Sequence, residues 1–560
     1  MDDVDAVQAQ IARNMLDSGD WVTARLNGVP YLEKAPLHYW AIAVMYKIFG
    51  VSDWAARIPF ALAAVLLCWV TYGFGRWAFG ERGGLYAGLI LSTCVGLFLF
   101  TRILIPDAML TLAITLALWS LMRAVEEDEP HPRLWALVLA VSLAAGLLLK
   151  GLIAVVFVAG PGAIWLLLSR QFFSLRTWRR LRPFRGLLVV LLIAAPWHVL
   201  AILRNPPYFD FTMSSEPGVY RGFFWFYFLN EHVFRFLNMR YPRDYNTVPP
   251  ALFWGLHLVW LFPWSGVLPA AARLGFRPSV RAGRVRLLAL VWTGFVLLFF
   301  TFSTTQEYYS MPCYPALALL AGAAVAAGGA WVRRGLRVAG AVAALAALAT
   351  GALLFLVRDA PAVGDISQAL RQNPELYTLS LGHMGDLTLH SFAYLKLPLA
   401  LACAAFLAGA IGLWRCKKVS QAVAAAVVMM VLFVHAARLA MVRFDPYLSS
   451  RPLAEALKKA PPGKLIVDDQ YYAFSSVFFY AGTNALLLNG RVMNLEYGSY
   501  APGCPDVFID DGRFGKLWSS AERYYLVAAD SARPRLESVV GAASLRVVAA
   551  AGGKTLYSNF

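Results

Sequence analysis

Long apolar runs, repeated along most of the chain, are the feature that most limits what this sequence can fold into. A helix needs about 17–25 apolar residues to cross the roughly 30 Å hydrocarbon layer of a membrane. About twelve runs approach or reach that length, and no aspartate or glutamate lies inside them. The sequence therefore predicts a polytopic helical membrane protein. The runs lie at 58–79, 84–101, 108–123, 134–149, 152–168, 186–203, 250–271, 285–302, 313–332, 336–356, 397–414 and 420–441.

The composition excludes the main soluble and fibrous alternatives. Of the 560 residues, 59% are apolar and 15% are charged, whereas soluble domains hold about 45–50% and about 25%. Disorder requires low hydrophobicity, and a disulfide-stapled secreted module requires dense cysteine. The six cysteines lie mostly in or beside apolar runs. They predict neither a disulfide framework nor a CxxC metal site.

The formal net charge of +17 has two interpretations. In a soluble protein it would favour a nucleic-acid partner, whereas in a membrane protein it favours basic loops on the cytoplasmic side. If residues 1–57 lie outside, every dense basic cluster falls in an inner connection. We therefore expect no nucleic-acid partner. The clusters lie at 170–185, 273–284, 333–334 and 415–418.

The same orientation places all the long polar segments on the outer face, where we expect the function. Segments 1–57 and 204–249 are predicted to carry surface helices, and an interfacial helix is predicted within 357–396. No signal peptide precedes the outer segment at Met1. Because an outer N-terminus is difficult to insert without a preceding span, we expect a further transmembrane helix before it.

The C-terminal tail, residues 442–560, is predicted to form a soluble domain. Residues 464–468, 524–528 and 545–549 have the apolar pattern of buried strands, and an amphipathic stretch follows the first of them. The sequence therefore predicts a mainly α protein with two domains: residues 1–441 form the transmembrane domain and residues 442–560 form an outer α/β domain.

Aspartates occur at two places on the predicted outer surface. Asp2, Asp3 and Asp5 precede a helical pattern, and they are interpreted most simply as capping charges. Asp107 follows a proline at the start of another helix, where a carboxylate is also ordinary. Because both places face the same side of the membrane, a shared site is the alternative.

A segment framed by two prolines holds Tyr31, Glu33 and Lys34 beside aromatic residues. A lysine at this level neutralises a lipid phosphate, and a glutamate binds a cation. Anchoring at the membrane interface is the alternative interpretation. The rigid proline frame is not needed for anchoring, so both readings stand.

Three further outer segments add polar side chains. Lys150 lies in a bare Lys-Gly hairpin between two spans, which indicates an anion contact. Glu231, His232 and Arg235 lie within about one helical turn, so a metal ligand and a phosphate clamp share one face. Tyr309 ends a pair of tyrosines ahead of a helix. The combined pattern favours chemistry on a phosphate-bearing lipid whose tail remains in the bilayer.

These motifs, in this order, resemble the bacterial aminoarabinose transferase and protein mannosyltransferase family of membrane glycosyltransferases with the GT-C fold. The resemblance extends over essentially the whole chain and is strongest over residues 5–160. The motifs are Gly19-Asp20-Trp21, Tyr31-Leu-Glu-Lys-Ala-Pro36, Ala56-Arg57-Ile58-Pro59, Pro106-Asp107, Leu149-Lys150-Gly151 and Glu231-His232.

The resemblance implies inverting transfer of a sugar, such as 4-amino-4-deoxy-L-arabinose, from undecaprenyl phosphate. The implied acceptor is lipid A or another envelope molecule at the periplasmic face. The implied protein is a multi-pass monomer of the bacterial inner membrane, in contact with membrane lipids, with a C-terminal periplasmic α/β domain. Protein O-mannosyl transfer from polyprenyl-phosphate mannose is an alternative within the family.

The resemblance also implies roles for individual residues. It makes Asp3, Asp5 and Asp107 the catalytic carboxylates. Glu33 and His232 are implied ligands of a divalent metal such as zinc. The residues implied to bind the donor phosphate and lipid are Tyr31, Lys34, Arg57, Lys150, Arg235 and Tyr309.

The chain departs from the family pattern at two places. Alignment on Ala9 puts Val4 where members carry the first aspartate, so the principal carboxylate becomes Asp5 or Asp3. Thr305-Gln306 stands where many members have a Ser-Lys pair. Both departures affect donor or acceptor recognition.

A transporter or flippase of lipid-linked sugars is the main alternative outside enzymes. Such a protein is expected to carry ionisable residues near mid-membrane and an internal repeat. The sequence shows no carboxylate within the runs and no recognisable repeat. The clustering of polar residues on one surface therefore favours an enzyme.

Overall fold

Helices form most of the chain, as the apolar runs predict. The computed structural model describes residues 1–243, 247–371, 382 and 384–560. The interfacial helix predicted within 357–396 falls partly outside these residues, and the described part contains the 3-10 turns Ile366–Ala369 and His390–Leu395. 

The part of the chain before the sheet domain consists of helices and one short hairpin, β1 (Arg25–Leu26) and β2 (Val29–Pro30). A π-helix spans Trp225–Phe234. The helices are α1 (Asp3–Ser18), α2 (Leu37–Phe49), α3 (Asp53–Ser92), α4 (Val95–Thr101), α5 (Asp107–Val125), α6 (Pro132–Lys150), α7 (Ile153–Leu168), α8 (Leu175–Leu181), α9 (Pro183–Arg204), α10 (Gly222–Phe224), α11 (Pro250–Trp260), α12 (Leu268–Ala271), α13 (Arg281–Thr301), α14 (Tyr314–Ala327), α15 (Ala330–Leu356), α16 (Lys396–Arg415) and α17 (Val419–Leu448).

Within the described residues, nine helices are long and apolar enough to cross a membrane, or ten if the bent pair at 250–271 is one span. The structure divides the twelve predicted runs differently. Runs 58–79 and 84–101 share α3, whose backbone leaves the helical region at Gly80 (φ +80°), and the second run breaks again before α4. Run 250–271 bends by 97°. Run 152–168 forms α7, which has 16 residues.

The tail folds into the predicted α/β domain. The elements are α18 (Arg451–Lys459), β3 (Lys464–Asp468), α19 (Ser475–Ala481), β4 (Ala485–Leu488), α20 (Glu496–Ser499), β5 (Phe508–Ile509), α21 (Asp511–Trp518), β6 (Tyr524–Ala529), α22 (Arg533–Val540), β7 (Arg546–Ala551) and β8 (Lys554–Ser558). The six strands lie in the order β5-β4-β3-β6-β8-β7; the first three pairings are parallel and the last two are antiparallel. The predicted strands at 464–468, 524–528 and 545–549 correspond to β3, β6 and β7.

Helix α1 joins the sheet domain to the membrane part through Asp3. Its buried carboxylate accepts hydrogen bonds from the Ser476 backbone N–H at 2.8 Å and the Ser450 hydroxyl at 3.0 Å. It also pairs with Lys554 Nζ at 2.6 Å. Asp2 caps the start of the helix, because its Oδ1 accepts from the Asp5 backbone N–H at 2.9 Å. Asp3 therefore acts as a link between the two domains.

We predict that Asp3→Ala weakens this domain contact by about 3 kcal/mol, because it leaves a partly buried lysine without its carboxylate partner. Thermal unfolding of the full chain in detergent measures the effect. Asp17→Ala is the matched control, since its carboxylate is 66% exposed and forms a 3.5 Å pair with Arg13 that contributes about 0.5 kcal/mol. Equal melting temperatures for the two variants would contradict the assignment.

Candidate functional site

A cavity of ≈370 Å3 lies between the Glu33–Lys34 loop and the ends of α5, α6, α7 and α13. Its two ends differ in chemistry. One end is polar and holds Glu33, Lys34, Asp107, Lys150, Glu231, His232, Arg235 and Tyr309. The rest of the wall is apolar and includes Ile153, Val156, Phe157, Val233, Phe236, Phe299 and Phe300.

Helix ends place the first ion pair of the cavity. Asp107 is the first residue of α5 and Lys150 is the last residue of α6, and these helices pack side by side. Lys150 Nζ lies 2.7 Å from Asp107 Oδ1 and 5.0 Å from the centroid of the Tyr309 ring. The Asp107 carboxylate is 3% exposed. The structure thus brings Asp107, Lys150 and Tyr309 together at the polar end of the cavity.

The π-helix presents the second group of charges. Glu231 pairs with Arg235 at 2.7 Å, one turn later, and with Arg240 at 2.5 Å. Burial alone would raise the pKa of the Glu231 carboxyl, but the charges of Arg240, Arg235 and Lys34 outweigh burial and lower the pKa. Glu231 is therefore ionised, and it holds two arginines at the cavity.

Arg240 joins this group to the proline-framed loop. Its buried guanidinium lies between the two glutamates, with Nη2 3.1 Å from Glu33 Oε1 and Nε on Glu231. Nη1 donates to the Pro242 carbonyl at 2.7 Å. One buried arginine thus contacts both Glu33 and Glu231.

Lys34 is the cation at the cavity that takes no part in the ion pairs described above. Among the residues that the structure describes, it has no hydrogen-bond or ion-pair partner, and it is half-buried at the polar end of the cavity. Burial lowers the pKa of its amine, and the charges of Arg235 and Lys150 lower it further. An anion entering the cavity would therefore find an ammonium group with no competing carboxylate contact.

The predicted metal pair has other partners. Glu33 Oε1 accepts from Arg240 and, at 2.6 Å, from Asn494 Nδ2, while Oε2 accepts from the Tyr31 hydroxyl at 3.0 Å. His232 Nδ1 lies 2.6 Å from the Tyr227 carbonyl, and Nε2 accepts from the Leu152 backbone N–H at 3.1 Å. No cluster of three or more His, Cys, Asp or Glu suited to a metal occurs in the described ranges. The assignment of Glu33 and His232 as ligands of a divalent ion stays a prediction.

Four predicted site residues lie outside the cavity wall. Asp3 contacts the sheet domain, as described above. Asp5 is buried and pairs with Arg57 Nη2 at 2.5 Å, and its other oxygen accepts from the Leu104 backbone N–H at 2.8 Å. The Tyr31 hydroxyl donates to Glu33 at 3.0 Å, and Tyr31 does not line the cavity. Because Leu104 is three residues before Asp107, Asp5 bonds to the loop that leads into the cavity's carboxylate.

Sequence reasoning missed Arg240, Asn494, Tyr472 and Tyr227. Arg240 stands among aromatic and polar residues with no recognisable motif. Asn494 and Tyr472 belong to the sheet domain, 461 and 441 residues away from their partners Glu33 and Tyr31. No local signal in the sequence predicts such contacts.

Gly151 allows the His232 contact to form. It has φ +70°, and a Cβ there would lie 2.3 Å from His232 Nε2 and 2.7 Å from Tyr227 Oη. We expect Gly151→Ala to cost about 2–4 kcal/mol, from backbone strain together with overpacking, in a thermal unfolding measurement. Gly50→Ala is the matched control, because Gly50 has φ +81° with nothing within 4 Å of a Cβ. If both variants unfold alike, the close packing at Gly151 is wrong.

The lowered pKa of Lys34 leads to a second prediction. A larger fraction of this amine is neutral at a given pH, so it should react with a small acylating reagent at lower pH than the exposed Lys458. Mass spectrometry of the labelled protein across a pH series measures both residues in one sample. Identical pH profiles for the two lysines would contradict the environment described here.

Comparison with known proteins finds a family model and relatives that this chain resembles. Residues 33–199 match the family model described as dolichyl-phosphate-mannose-protein mannosyltransferase. An undecaprenyl phosphate-alpha-4-amino-4-deoxy-L-arabinose arabinosyl transferase of Pseudomonas fluorescens (strain Pf0-1) is 30% identical over 393 residues, 67% of this chain and 61% of the relative. The enzyme of that name from Pseudomonas aeruginosa (strain PAO1) is 32% identical over 331 residues, 57% and 54%. The chain thus spans between half and two thirds of these relatives.

Solved structures agree on the fold. The crystal structure of ArnT from Cupriavidus metallidurans bound to undecaprenyl phosphate matches with a TM-score of 0.80 at 22% identity, covering 100% of this chain and 93% of that one. Its apo form matches with a TM-score of 0.77. The GT-C fold with a C-terminal α/β domain, the resemblance to this family and the multi-pass membrane character are therefore confirmed.

Proposed function

We propose, starting from this GT-C fold and family resemblance, that the chain is a membrane glycosyltransferase that uses an undecaprenyl-phosphate sugar as donor. The relatives named above are arabinosyl transferases, which makes 4-amino-4-deoxy-L-arabinose the first sugar to test. The proposed acceptor is a periplasmic-face envelope molecule such as a phosphate of lipid A. The proposed location is the bacterial inner membrane, with the cavity on the periplasmic face and the protein acting as a monomer.

The observation that carries the proposal is the amphipathic cavity with Lys34 at its polar end, an amine that forms no hydrogen bond or ion pair with the residues that the structure describes. Its polar end holds Lys34 together with Lys150 and Arg235, and its remaining wall is aliphatic and aromatic. A polyprenyl phosphate has the same division, because a charged phosphate is joined to a long apolar chain. Leu152, Val233 and Leu237 on the cavity wall are 41%, 38% and 51% exposed, so the apolar side opens toward lipid.

The charges of the cavity suit departure of the donor phosphate. When the acceptor oxygen attacks the anomeric carbon, the bond from that carbon to the phosphate oxygen breaks. The phosphodiester, with one negative charge, becomes a phosphomonoester with two. Lys34, Lys150 and Arg235 stabilise the added charge more in the transition state than in the ground state, which is the condition for rate acceleration.

The acceptor determines whether a base is required. A lipid phosphate is already anionic and needs only orientation, whereas a hydroxyl must lose a proton to a carboxylate. Asp107 lines the cavity, and Asp5 lies close to it through the loop that carries Leu104. Asp107 is therefore the first candidate base and Asp5 the second.

Protein O-mannosyl transfer is the second candidate function, and the match of residues 33–199 to the mannosyltransferase model favours it. Its donor is also a polyprenyl phosphate sugar, so the same cavity and the same cations would serve. The two functions differ in the sugar and the acceptor. Mass spectrometry of lipid A and of envelope glycoproteins in a deletion strain separates them.

Purified protein, a radiolabelled undecaprenyl-phosphate sugar and candidate acceptors test the proposal. We expect Lys34→Ala to reduce transfer about 10²- to 10³-fold, as loss of one transition-state charge contact does. Asp107→Asn should reduce transfer strongly only if the acceptor is a hydroxyl or if Lys150 needs its partner. Lys458→Ala, which changes an exposed helix residue, is the control. Full activity of both site variants would overturn the assignment.

A further inference from the structure

The Glu33–Lys34 loop has no regular secondary structure, so its position depends on side-chain contacts. Glu33 receives three of them: Arg240 at 3.1 Å, Asn494 at 2.6 Å and Tyr31 at 3.0 Å. The Tyr31 hydroxyl, which donates to Glu33, also lies 2.8 Å from the Tyr472 hydroxyl. Tyr472 must therefore be the donor in the contact between the two tyrosines.

Two of these contacting residues, Tyr472 and Asn494, belong to the sheet domain. Tyr472 lies in the 3-10 turn Tyr471–Phe474, after β3, and Asn494 lies in the 3-10 turn Met493–Leu495, after β4. Since β3 and β4 are neighbouring parallel strands, their following loops leave the same edge of the sheet. This edge of the sheet domain therefore lies against the Glu33–Lys34 loop.

The same edge also contacts the π-helix region. The Tyr497 hydroxyl accepts from the Arg221 backbone N–H at 2.9 Å and donates to the Gly222 carbonyl at 3.0 Å. The Tyr497 ring stacks on Phe226 with centroids 4.0 Å apart. Residues 493–499, which we call the clamp segment, thus contact both the Glu33 loop and the start of the element that carries Glu231.

We infer that the clamp segment positions the two halves of the phosphate-binding cavity against each other, with Asn494 acting on Glu33 and through it on Lys34. Asn494 and Tyr472 are positioning residues, because neither lines the cavity. The inference rests on the proposed function for the identity of the anion. It goes beyond that function because it gives the soluble domain a defined part in donor binding.

The alternative is that the clamp segment only holds the domains together. The two interpretations predict different effects of Asn494→Ala when residue 33 no longer carries a carboxylate. If Asn494 acts through Glu33, Asn494→Ala has little further effect in a Glu33→Gln background, because interacting residues are non-additive. If it only supports the domain contact, the effects of the two changes add.

The experiment uses the full chain in detergent and two readouts. Binding of undecaprenyl phosphate should weaken about tenfold in Asn494→Ala, the loss expected for one hydrogen bond to a charged group. Labelling of Lys34 by an acylating reagent should change in the same variant. Asn484→Ala, an exposed asparagine of the same domain, is the control and should match the wild type in both readouts.

The outcomes separate this inference from the proposed function. Wild-type binding and unchanged Lys34 labelling in Asn494→Ala would overturn the positioning role, even if sugar transfer is demonstrated. Additive effects of Asn494→Ala and Glu33→Gln would overturn it as well. If the wild type does not bind undecaprenyl phosphate while Asn494→Ala still alters Lys34 labelling, the donor assignment fails and the positioning role stands.

Discussion

The contact of Arg240 with two buried glutamates is the interaction on which the rest of the site depends. Glu33 belongs to the N-terminal segment and Glu231 to the π-helix, so one guanidinium fixes two elements that are far apart in sequence. Burying a carboxylate is costly unless it is paired, and removing one partner of such a pair typically costs about 3–5 kcal/mol. The two segments therefore stay together around this arginine.

The pairing also determines the charge that a ligand meets. Arg240 and Arg235 balance the two glutamates, and Asp107 balances Lys150, so these six residues carry no net charge. Lys34 then adds one positive charge at the polar end of an otherwise apolar cavity. This balance is what the proposed donor requires, because its phosphate is anionic while its lipid tail stays in the bilayer.

The sequence predicts this arrangement in part, and the limits have physical reasons. Lys34, Asp107, Lys150, Arg235 and Tyr309 were predicted together because each lies in a loop on the same side of the membrane, and they do meet in one cavity. The strands of the tail were predicted because buried strands have a recognisable apolar pattern. Both signals are local, and the membrane supplies a common level at which loops must converge.

Loop position gives the depth of a residue in the membrane but not the direction of its side chain. Asp3 was predicted at the site, yet it bonds to the sheet domain, and Asp5 bonds to Arg57 beside the cavity. Glu33 and His232 share the cavity level, but other groups use their polar atoms. The contacts of Arg240 and Asn494 with Glu33 arise only when the chain is folded, since each lies more than 200 residues from Glu33.

The central claim is that Lys34 receives the phosphate of a polyprenyl donor. It is tested most directly by an experimental structure of the protein with undecaprenyl phosphate. The account predicts a phosphate oxygen within hydrogen-bond distance of Lys34 Nζ, with Lys150 and Arg235 around it and the prenyl chain along Phe157 and Phe299. A phosphate bound elsewhere, such as at Arg57, with the Lys34 amine still unpartnered, would contradict it.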